Sequence, residues 1–407
     1  MALCGVNMVK NMKKMIRRCP ICNNEYGEVY KTIKMKLPQD VKLPDEYDVV
    51  TCENCGFAYA DVDATQDTYN TYYACNNMYS ADAALKEKIV DIIADERELF
   101  FENNISKNAK ILDMGCGSGA LLTKLKRKGF DKLFGIDPSQ ESIEVVQKHE
   151  INVQRGNVFD EIPRELVHSF DIVCFTAVLE HVYELNRCIE QLKGYLTKGG
   201  LIYLSVPSVE EFGKKYRPLA HYCNHEHINY FSSVSLDNLM RQHGFDVYLQ
   251  QPKEYDGEDS KNEHEMDISC LYRYVGKEVK GEIKKDYIGR KSILNYLELE
   301  KENETKIYNK ILDFIMRRQQ KIIIWGTGAY TLQIIANIPQ LSERILFFVD
   351  SNPLKIGKKI VGKEIVASSN IMKVGREYPI IICAIRGAKD IEKMLHEMNI
   401  ENEYIVL

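Results

Sequence analysis

The chain has 407 residues, of which 45% are hydrophobic, so it is long enough for two or three domains with buried cores. Its 54 basic and 59 acidic residues give a net charge of −5, which provides no electrostatic attraction for nucleic acid. No stretch approaches the roughly 18 consecutive apolar residues of a membrane-spanning helix, and the first residues lack the apolar core of a signal peptide. We therefore expect a cytoplasmic protein with neither a nucleic-acid partner nor a membrane partner.

Two Cys-x-x-Cys pairs lie near the amino terminus, Cys19 with Cys22 and Cys52 with Cys55. Each pair places two thiolates on one tight turn, and two such turns complete a tetrahedral shell of four sulfur ligands. Because disulfides are rare in a reducing compartment, we predict a structural zinc ion (Zn²⁺). A redox pair and ordinary buried thiols are the alternatives. Residues 1–80 are assigned to this zinc-binding module, which is of the zinc-ribbon type.

A tyrosine-rich segment follows the second cysteine pair and leads into an amphipathic helix. Phenol rings stack on other rings and also donate hydrogen bonds. Tyr72 and Tyr79, with their neighbours Tyr69 and Tyr73, are therefore candidates for covering a bound substrate. Aromatic packing between two domains explains the same residues equally well.

The run ILDMGCGSGALLTKL predicts a buried strand, a turn at Gly115, Gly117 and Gly119, and a helix. A second strand then ends at Asp137. Glycines in such a turn let a ligand approach the backbone, and a carboxylate at the tip of the next strand can accept the two hydroxyls of a ribose. With Asp113 the spacing becomes D-x-G-x-G-x-G, which resembles the S-adenosylmethionine-binding motif of class I methyltransferases. A NAD-type site and a purely structural turn are the alternatives.

Strands continue to alternate with helices after this turn, which predicts a doubly wound parallel sheet with its ligands at the carboxyl ends of the strands. Asn157 and Val158 follow the third strand, and the resemblance to methyltransferases implies that they contact adenine. Ala177 to His181 follow the fourth strand, and Ala177 is assigned to the cofactor site. The methyltransferase domain is predicted to span residues 81–276.

The run NHEHINYF contains three titratable residues, His225, Glu226 and His227. In an extended segment residues two apart share a face, so we expect the two histidines to point together, with Glu226 opposite. Histidine titrates near neutral pH and a carboxylate can orient it, which favours a proton-transfer site. A second metal site and a surface turn are the alternatives.

Residues 277–407 combine long charged helices with a second glycine turn, KIIIWGTGAY, and a strand that ends at Asp350. Strand, turn, helix and strand predict a second, carboxy-terminal Rossmann-like α/β domain behind a helical connector. Thr331 stands where a dinucleotide fingerprint has its third glycine, which disfavours NAD. The alternatives are a site for a nucleotide or phosphate and a purely structural role.

Four features together resemble the three-domain family of nucleotide-sugar C-methyltransferases: the cysteine module, the glycine turn, the H-E-H-x-x-Y-F run and the GTGAY…FVDSNPLKIGK unit. The resemblance implies S-adenosylmethionine and structural zinc as cofactors, and a keto-deoxy sugar on a nucleoside diphosphate as substrate. It implies that His227 removes the proton beside the ketone, so that the enolate attacks the sulfonium methyl group. Further site residues that it implies are Glu226 and His181 and, around the sugar, Tyr72 or Tyr79. His225, from the titratable run, and Asn224, before it, are assigned to the catalytic site and to the substrate lid, respectively.

Two departures from that family keep other functions open. Asn224 stands where the family has a tyrosine, and AVLEH replaces its asparagine-led loop after the fourth strand. The first alternative is O- or N-methylation of a sugar or another small molecule. An alternative of another class is an inactive scaffold that binds S-adenosylmethionine and recruits a partner, and a third is a NAD-dependent oxidoreductase.

Overall fold

In a computed structural model, the chain is described over residues 11–75, 97–214, 217–250, 267–276, 283–374, 376–385 and 387–407. Tyr79 and the polar segment 251–266 lie outside these ranges. The described residues form three β-sheets, of five, seven and six strands. This confirms the predicted α/β class, with a doubly wound core between an amino-terminal and a carboxy-terminal module. The residue limits of the three domains stay a prediction.

The amino-terminal sheet is antiparallel, in the order β1-β2-β3-β4-β10. Its strands are β1 (Met12–Lys14), β2 (Tyr26–Lys34), β3 (Glu46–Cys52), β4 (Ala58–Asp61) and β10 (Asn229–Tyr230). The first cysteine pair lies in the turn between β1 and β2, and the second pair at the end of β3. Helix α1 (Gln66–Cys75) follows β4. Strand β10 follows the H-E-H run and pairs with β4. This pairing joins the run to the amino-terminal module.

The central sheet has the strand order β11-β12-β9-β8-β5-β6-β7. Its strands are β5 (Ile111–Met114), β6 (Leu133–Asp137), β7 (Asn152–Arg155), β8 (Phe170–Thr176), β9 (Leu196–Pro207), β11 (Phe245–Gln250) and β12 (Asp267–Tyr274). Strands β5 to β9 are parallel, and β12 is antiparallel to both of its neighbours. The chain runs outward from β5 to β7 and then crosses to β8 on the other side of β5. The topological switch point therefore lies at the carboxyl end of β5.

Helices pack on the central sheet. They are residues 97–104 (α2), α3 (Ala120–Arg127), α4 (Gln140–Gln147), α5 (Leu185–Tyr195) and α7 (Ser233–Gln242). The short helix α6 (Leu219–Tyr222) packs instead into an apolar cluster shared by the amino-terminal and carboxy-terminal modules. Both faces of strand β5 are covered, which explains why Ile111, Leu112 and Met114 are apolar: Ile111 belongs to one core and Leu112 to another, on opposite faces of the sheet.

The connector contains one 30-residue helix, α8 (Tyr287–Met316), in place of the several helices expected. Asp286 begins it: its carboxylate accepts a hydrogen bond from the Gly289 N–H at 2.7 Å and another from the Ser232 hydroxyl. The Asp286 N–H donates to the Cys55 carbonyl at 2.7 Å, so α8 starts on the second cysteine turn. None of the helices in the described ranges is long and apolar enough to cross a membrane.

The carboxy-terminal sheet has the order β15-β16-β14-β13-β17-β18 and is parallel except for the β15–β16 pair. Its elements are β13 (Ile322–Trp325), α9 (Ala329–Asn337), α10 (Pro339–Arg344), β14 (Ile345–Val349), β15 (Lys359–Ile360), β16 (Lys363–Val366), β17 (Ile380–Ile382), α11 (Ala388–Glu397) and β18 (Tyr404–Val406). The Asp350 carboxylate accepts hydrogen bonds from the Thr327 N–H at 3.1 Å and from Lys355 at 3.2 Å. Nucleotide binding in this domain stays a prediction.

Candidate active site

The glycine turn lies between β5 and α3, at the switch point. Gly115, Gly117 and Gly119 have φ angles of 79°, 51° and 75°. A Cβ at Gly115 or Gly119 would lie 2.7 Å from a valine methyl group, so these two glycines are required for packing. A Cβ at Gly117 would meet no atom of the described residues within 4 Å. Gly117 therefore faces open space that a bound molecule can fill.

A cavity of about 210 Å³ opens at this turn. Predicted cofactor residues that line it are Gly115, Gly117, Asp137, Asn157, Val158 and Ala177. The remaining two predicted residues lie behind the turn: Asp113 is buried in β5, and Gly119 begins α3. Helix α1 of the amino-terminal module contributes Gln66 and Asn70 to the wall, which the sequence did not predict. The cavity is thus built by two modules.

Asp137 ends β6 and organises the turn. Its Oδ2 accepts a hydrogen bond from the Gly117 N–H at 2.8 Å, and its Oδ1 accepts one from the Ser139 N–H at 2.9 Å. Burial raises the pKa of the carboxyl above its usual value, and these two N–H groups act in the opposite direction. Each carboxylate oxygen has two lone pairs. Both oxygens can therefore still accept a ribose hydroxyl, so the residues present fit an adenosyl cofactor.

His181 connects the cavity with the H-E-H run, and both His181 and Tyr73 line the cavity. Nδ1 of His181 lies 2.8 Å from the Tyr73 hydroxyl and 3.1 Å from the carbonyl oxygen of Glu226. The rings of His181 and His227 meet edge-on, with centroids 4.7 Å apart. Because a carbonyl oxygen only accepts, this contact favours a proton on Nδ1 and leaves Nε2 with a free lone pair. Burial also lowers the pKa of His181, which favours the neutral ring.

Tyr72 on α1 contacts the first two residues of the H-E-H run, His225 and Glu226. Its hydroxyl donates a hydrogen bond to the Glu226 carboxylate and lies 3.4 Å from Nε2 of His225. His225 and Glu226 thus share one side, while His227 faces His181. The expected alternation is wrong because residues 223–226 form a bend rather than a strand. Burial lowers the pKa of His225 and raises that of Tyr72.

Asn224 shapes this bend. Its side-chain oxygen accepts hydrogen bonds from the N–H groups of Glu226 and His227 at 2.8 and 3.0 Å. Its amide nitrogen donates to the Ala220 carbonyl at 3.3 Å. The side chain is therefore used to hold the two residues that follow, and its contact with a substrate stays a prediction.

A family model described as a methyltransferase domain matches residues 85–250, which contain the glycine turn, the cavity-lining strands and the H-E-H run. The middle of the chain is a class I S-adenosylmethionine-dependent methyltransferase domain. A second family model, described as the amino-terminal part of C2185-like proteins, matches residues 318–406.

Curated relatives of the methyltransferase domain match part of the chain. The ubiquinone biosynthesis O-methyltransferase of Sinorhizobium fredii is 33% identical over 103 residues, which are 24% of this chain and 41% of that protein. The human mitochondrial enzyme of the same name is 27% identical over 154 residues, 34% of this chain and 42% of that protein. The Neisseria meningitidis enzyme is 26% identical over 160 residues, 35% of this chain and 65% of that protein. The chain thus spans less than two thirds of these relatives.

Among solved structures, one described as a possible histamine N-methyltransferase from Thermotoga maritima is 19% identical, with a TM-score of 0.39. The match covers 48% of this chain and 99% of that chain. The family model and the curated relatives support a methyltransferase domain and do not confirm the nucleotide-sugar family.

Glu180 lies beside His181 and His227 and was not predicted from the sequence. Its side chain is 3% exposed, its Oε2 has no hydrogen-bond partner among the described residues, and burial raises its pKa to about 8. Ligand atoms of Glu180, His181 and His227 all lie within 4.8 Å of one another. A carboxylate and two imidazoles suit a divalent cation. The available signal was the dipeptide Glu180–His181 in the loop after β8.

The four predicted zinc ligands come together in the amino-terminal module. The sulfur atoms of Cys19, Cys22, Cys52 and Cys55 lie within 4.8 Å of one another. Cys19 and Cys55 are 3.5 Å apart, and Cys22 and Cys52 are 3.4 Å apart. A tetrahedral zinc with Zn–S distances of about 2.3 Å places its sulfurs about 3.8 Å apart, so the cluster fits such an ion. Four protein ligands leave no open position, so the ion would serve structure only.

Replacing one of these cysteines is expected to remove the metal and loosen the module. Cys52→Ser should lower the zinc content from one ion per chain to a small fraction of that, because serine is a poor ligand for zinc. Inductively coupled plasma mass spectrometry measures the content. Cys188→Ala, at a thiol buried in α5, is the control and should keep its zinc. Full zinc occupancy in Cys52→Ser would show that the cluster is not the metal site.

Asp113 predicts a pH dependence of stability. Its Oδ1 is buried without a hydrogen-bond partner in the described part of the chain, and burial raises its pKa to about 7, against an opposing effect of Arg97. A folded pKa above the unfolded value of about 3.9 means that protonation favours the fold. This stabilisation is complete below pH 4 and is lost as the pH rises through 7. Three pKa units correspond to about 4 kcal/mol.

Asp113→Asn removes this titration, so its thermal midpoint should fall less than that of the wild type between pH 5 and pH 8. Cofactor-free protein in a fluorimetric melt at the two pH values measures the difference. Asp131→Asn, at an exposed carboxylate in the loop before β6, is the control. Equal pH dependence in Asp113→Asn and the wild type would contradict the expected burial effect.

Proposed function

We propose that the protein transfers a methyl group from S-adenosylmethionine to a carbon atom of a nucleotide-linked keto sugar, with His227 as the base. The observation that carries this proposal is the histidine pair. His181 lines the cofactor cavity, and the His227 ring lies against the His181 ring at 4.7 Å. A methyl acceptor held beside His227 would therefore adjoin the space beside Gly117.

Some residues of the site would bind the cofactor, and others would act on the acceptor. The backbone at Gly115 and Gly117 and the Asp137 carboxylate would hold the adenosyl part of the cofactor. His227 takes the proton from the carbon beside the ketone, and the ketone oxygen carries the resulting negative charge. When bound, S-adenosylmethionine would supply an electrophilic methyl group to this carbon and would leave as the thioether S-adenosylhomocysteine. A well-placed base contributes about 10²–10⁴-fold to such a reaction.

Two tyrosines of α1 contact His181 and the H-E-H run. Tyr72 donates to the Glu226 carboxylate, and Tyr73 contacts Nδ1 of His181 at 2.8 Å. Side chains from the amino-terminal module thus contact His181 and Glu226, the residue before His227. This makes the module part of the acceptor side, where the sequence resemblance places the sugar.

The carboxy-terminal domain also packs close to the H-E-H run. This supports an acceptor that carries a nucleotide. The Lys36 N–H donates to the Leu332 carbonyl on α9 at 3.0 Å. Tyr72, Tyr222 and Tyr330 belong to one apolar cluster that spans the modules. Three modules therefore meet near the H-E-H run, and the nucleotide-sugar family that the sequence resembles also has a three-module architecture.

A second candidate is methylation of a hydroxyl oxygen. Two observations favour it: relatives named O-methyltransferases, and the Glu180, His181 and His227 trio within 4.8 Å. A divalent cation on these three side chains would bind the acceptor oxygen and lower the pKa of its hydroxyl. His227 would then be a ligand instead of a base.

Incubation with methyl-¹³C S-adenosylmethionine and a panel of nucleotide-linked keto sugars and vicinal diols tests both candidates. Carbon methylation predicts a new C–CH₃ signal and exchange of the substrate proton with deuterated water. Oxygen methylation predicts an O–CH₃ signal and activity that is lost on chelation and restored by Mg²⁺ or Mn²⁺. Cofactor binding without transfer to any acceptor would contradict both and favour an inactive scaffold.

A further inference from the structure

Arg17 is a charged side chain in the interior, 2% exposed. It lies two residues before Cys19, in the turn that carries the first cysteine pair. Its N–H donates to the Asp61 carboxylate at 2.8 Å, and its guanidinium carbon lies 4.5 Å from the ring centroid of Tyr183. Burying a cation costs free energy unless its donors are paired. The hydrogen-bond partners of Arg17 therefore indicate its role.

The guanidinium donates to both loops that carry the acceptor-side histidines. On the first loop, Nη2 donates to the carbonyl oxygens of Val182 and Tyr183 at 3.2 and 2.6 Å. On the second loop, Nη1 donates to the Ile228 carbonyl and Nη2 to the side-chain oxygen of Asn229, both at 3.0 Å. Val182 and Ile228 directly follow His181 and His227 in the sequence. One side chain thus cross-links the residues next to both histidines.

Neighbouring polar side chains complete this cross-link. The Asn229 amide nitrogen donates to the Val182 carbonyl at 2.7 Å and to the Leu179 carbonyl at 3.0 Å. The Gln66 side-chain oxygen accepts from the Tyr183 N–H at 2.9 Å. On the cofactor side of the cavity, a separate hydrogen bond runs from the Gly117 N–H to the Asp137 carboxylate. The two sides of the cavity are therefore held by different contacts.

We propose that Arg17 is a positioning residue for methyl transfer, which fixes His181 and His227 relative to each other and couples the cysteine module to the acceptor side. The inference rests on the proposed function, because it takes these histidines as the groups that face the acceptor. The planar fork of arginine can donate to several acceptors in fixed directions, whereas lysine offers one flexible ammonium. Lysine at this position keeps the charge and loses the cross-link.

Arg17→Lys tests this inference against Arg290→Lys. Arg290 also ties the amino-terminal module to the rest of the chain, through Tyr30 at 3.0 Å and Glu28, but away from the histidines. Arg17→Lys should lower kcat about 10- to 100-fold, since small displacements of reacting groups are costly. Its zinc content and its Kd for S-adenosylmethionine should match the wild type. Its ¹⁵N imidazole signals for His181 and His227 should shift, and those of Arg290→Lys should not.

Two results would overturn the inference. One is an Arg17→Lys protein with wild-type kcat and wild-type signals for both histidines. The other is a parallel loss of zinc, cofactor binding and kcat, which indicates a merely structural role. If Arg17→Lys does not fold, Asn229→Ala is used in its place. The same measurements of kcat, zinc content, cofactor Kd and imidazole signals then test the inference. The imidazole signals are recorded without acceptor, so they test the cross-link even if His227→Ala retains methyl transfer and the proposed function fails.

Discussion

Replacing His227 by alanine is expected to lower kcat by about 10²–10⁴-fold and to leave the Kd for S-adenosylmethionine unchanged. The imidazole is the proposed base, and the rings of His227 and His181 are 4.7 Å apart. The cofactor side depends instead on the Gly117 N–H and the Asp137 carboxylate, 2.8 Å apart. Initial rates with saturating cofactor give kcat, and equilibrium dialysis with labelled cofactor gives the Kd.

His396→Ala is the matched control, because His396 lies on α11 in the carboxy-terminal domain. It should keep both kcat and the Kd. A His227→Ala enzyme with a kcat within about twofold of the wild type would exclude His227 as the base. A parallel loss of cofactor binding would show instead that the substitution disturbs the cavity as a whole.

Replacing Gly117 by alanine is expected to weaken cofactor binding by roughly 10- to 100-fold while the protein stays folded. The new Cβ meets no described atom within 4 Å, but it enters the cavity that Gly117 lines. An extra methyl group in a filled site costs about 1–3 kcal/mol, which corresponds to that change in Kd. The left-handed φ of 51° adds a separate cost of about 1–2 kcal/mol to the fold.

Gly129→Ala isolates the effect on the fold. Gly129 also has a left-handed φ, 83°, and a Cβ there would again meet nothing within 4 Å in the described part of the chain. It lies in the loop after α3, away from the cavity. Both variants should lose a similar amount of thermal stability, and only Gly117→Ala should lose cofactor affinity. Equal affinities in the two variants would mean that the cavity beside Gly117 is not the cofactor site.

The cofactor side of the site could be predicted from the sequence because its signals are local. Three glycines within five positions leave little choice of turn, and one helix and one strand later Asp137 must return to the same edge of the sheet. The two cysteine pairs are equally local, since each Cys-x-x-Cys turn presents both sulfurs on one side. The short spacings in the sequence are therefore almost sufficient to predict the glycine turn, the position of Asp137 and the two cysteine turns.

The acceptor side could not be predicted to the same extent because it is built by contacts between distant segments. Tyr72 meets Glu226 across 154 positions, and Arg17 meets Val182 across 165. Neither residue carries a local sign of its partner. The alternation expected for the H-E-H run failed because Asn224 folds that segment into a bend. Glu180 was missed because its position beside His227 depends on how two loops pack.

Calorimetric titration of zinc-replete protein with S-adenosylhomocysteine tests most directly whether the glycine-turn cavity binds the methyl donor. The open space at Gly117 and the Asp137 carboxylate predict one binding site per chain, with measurable heat, and weaker binding in Gly117→Ala. If the folded wild-type protein gives no heat with either S-adenosylhomocysteine or S-adenosylmethionine, the cavity is not a cofactor site and the proposed methyl transfer is wrong.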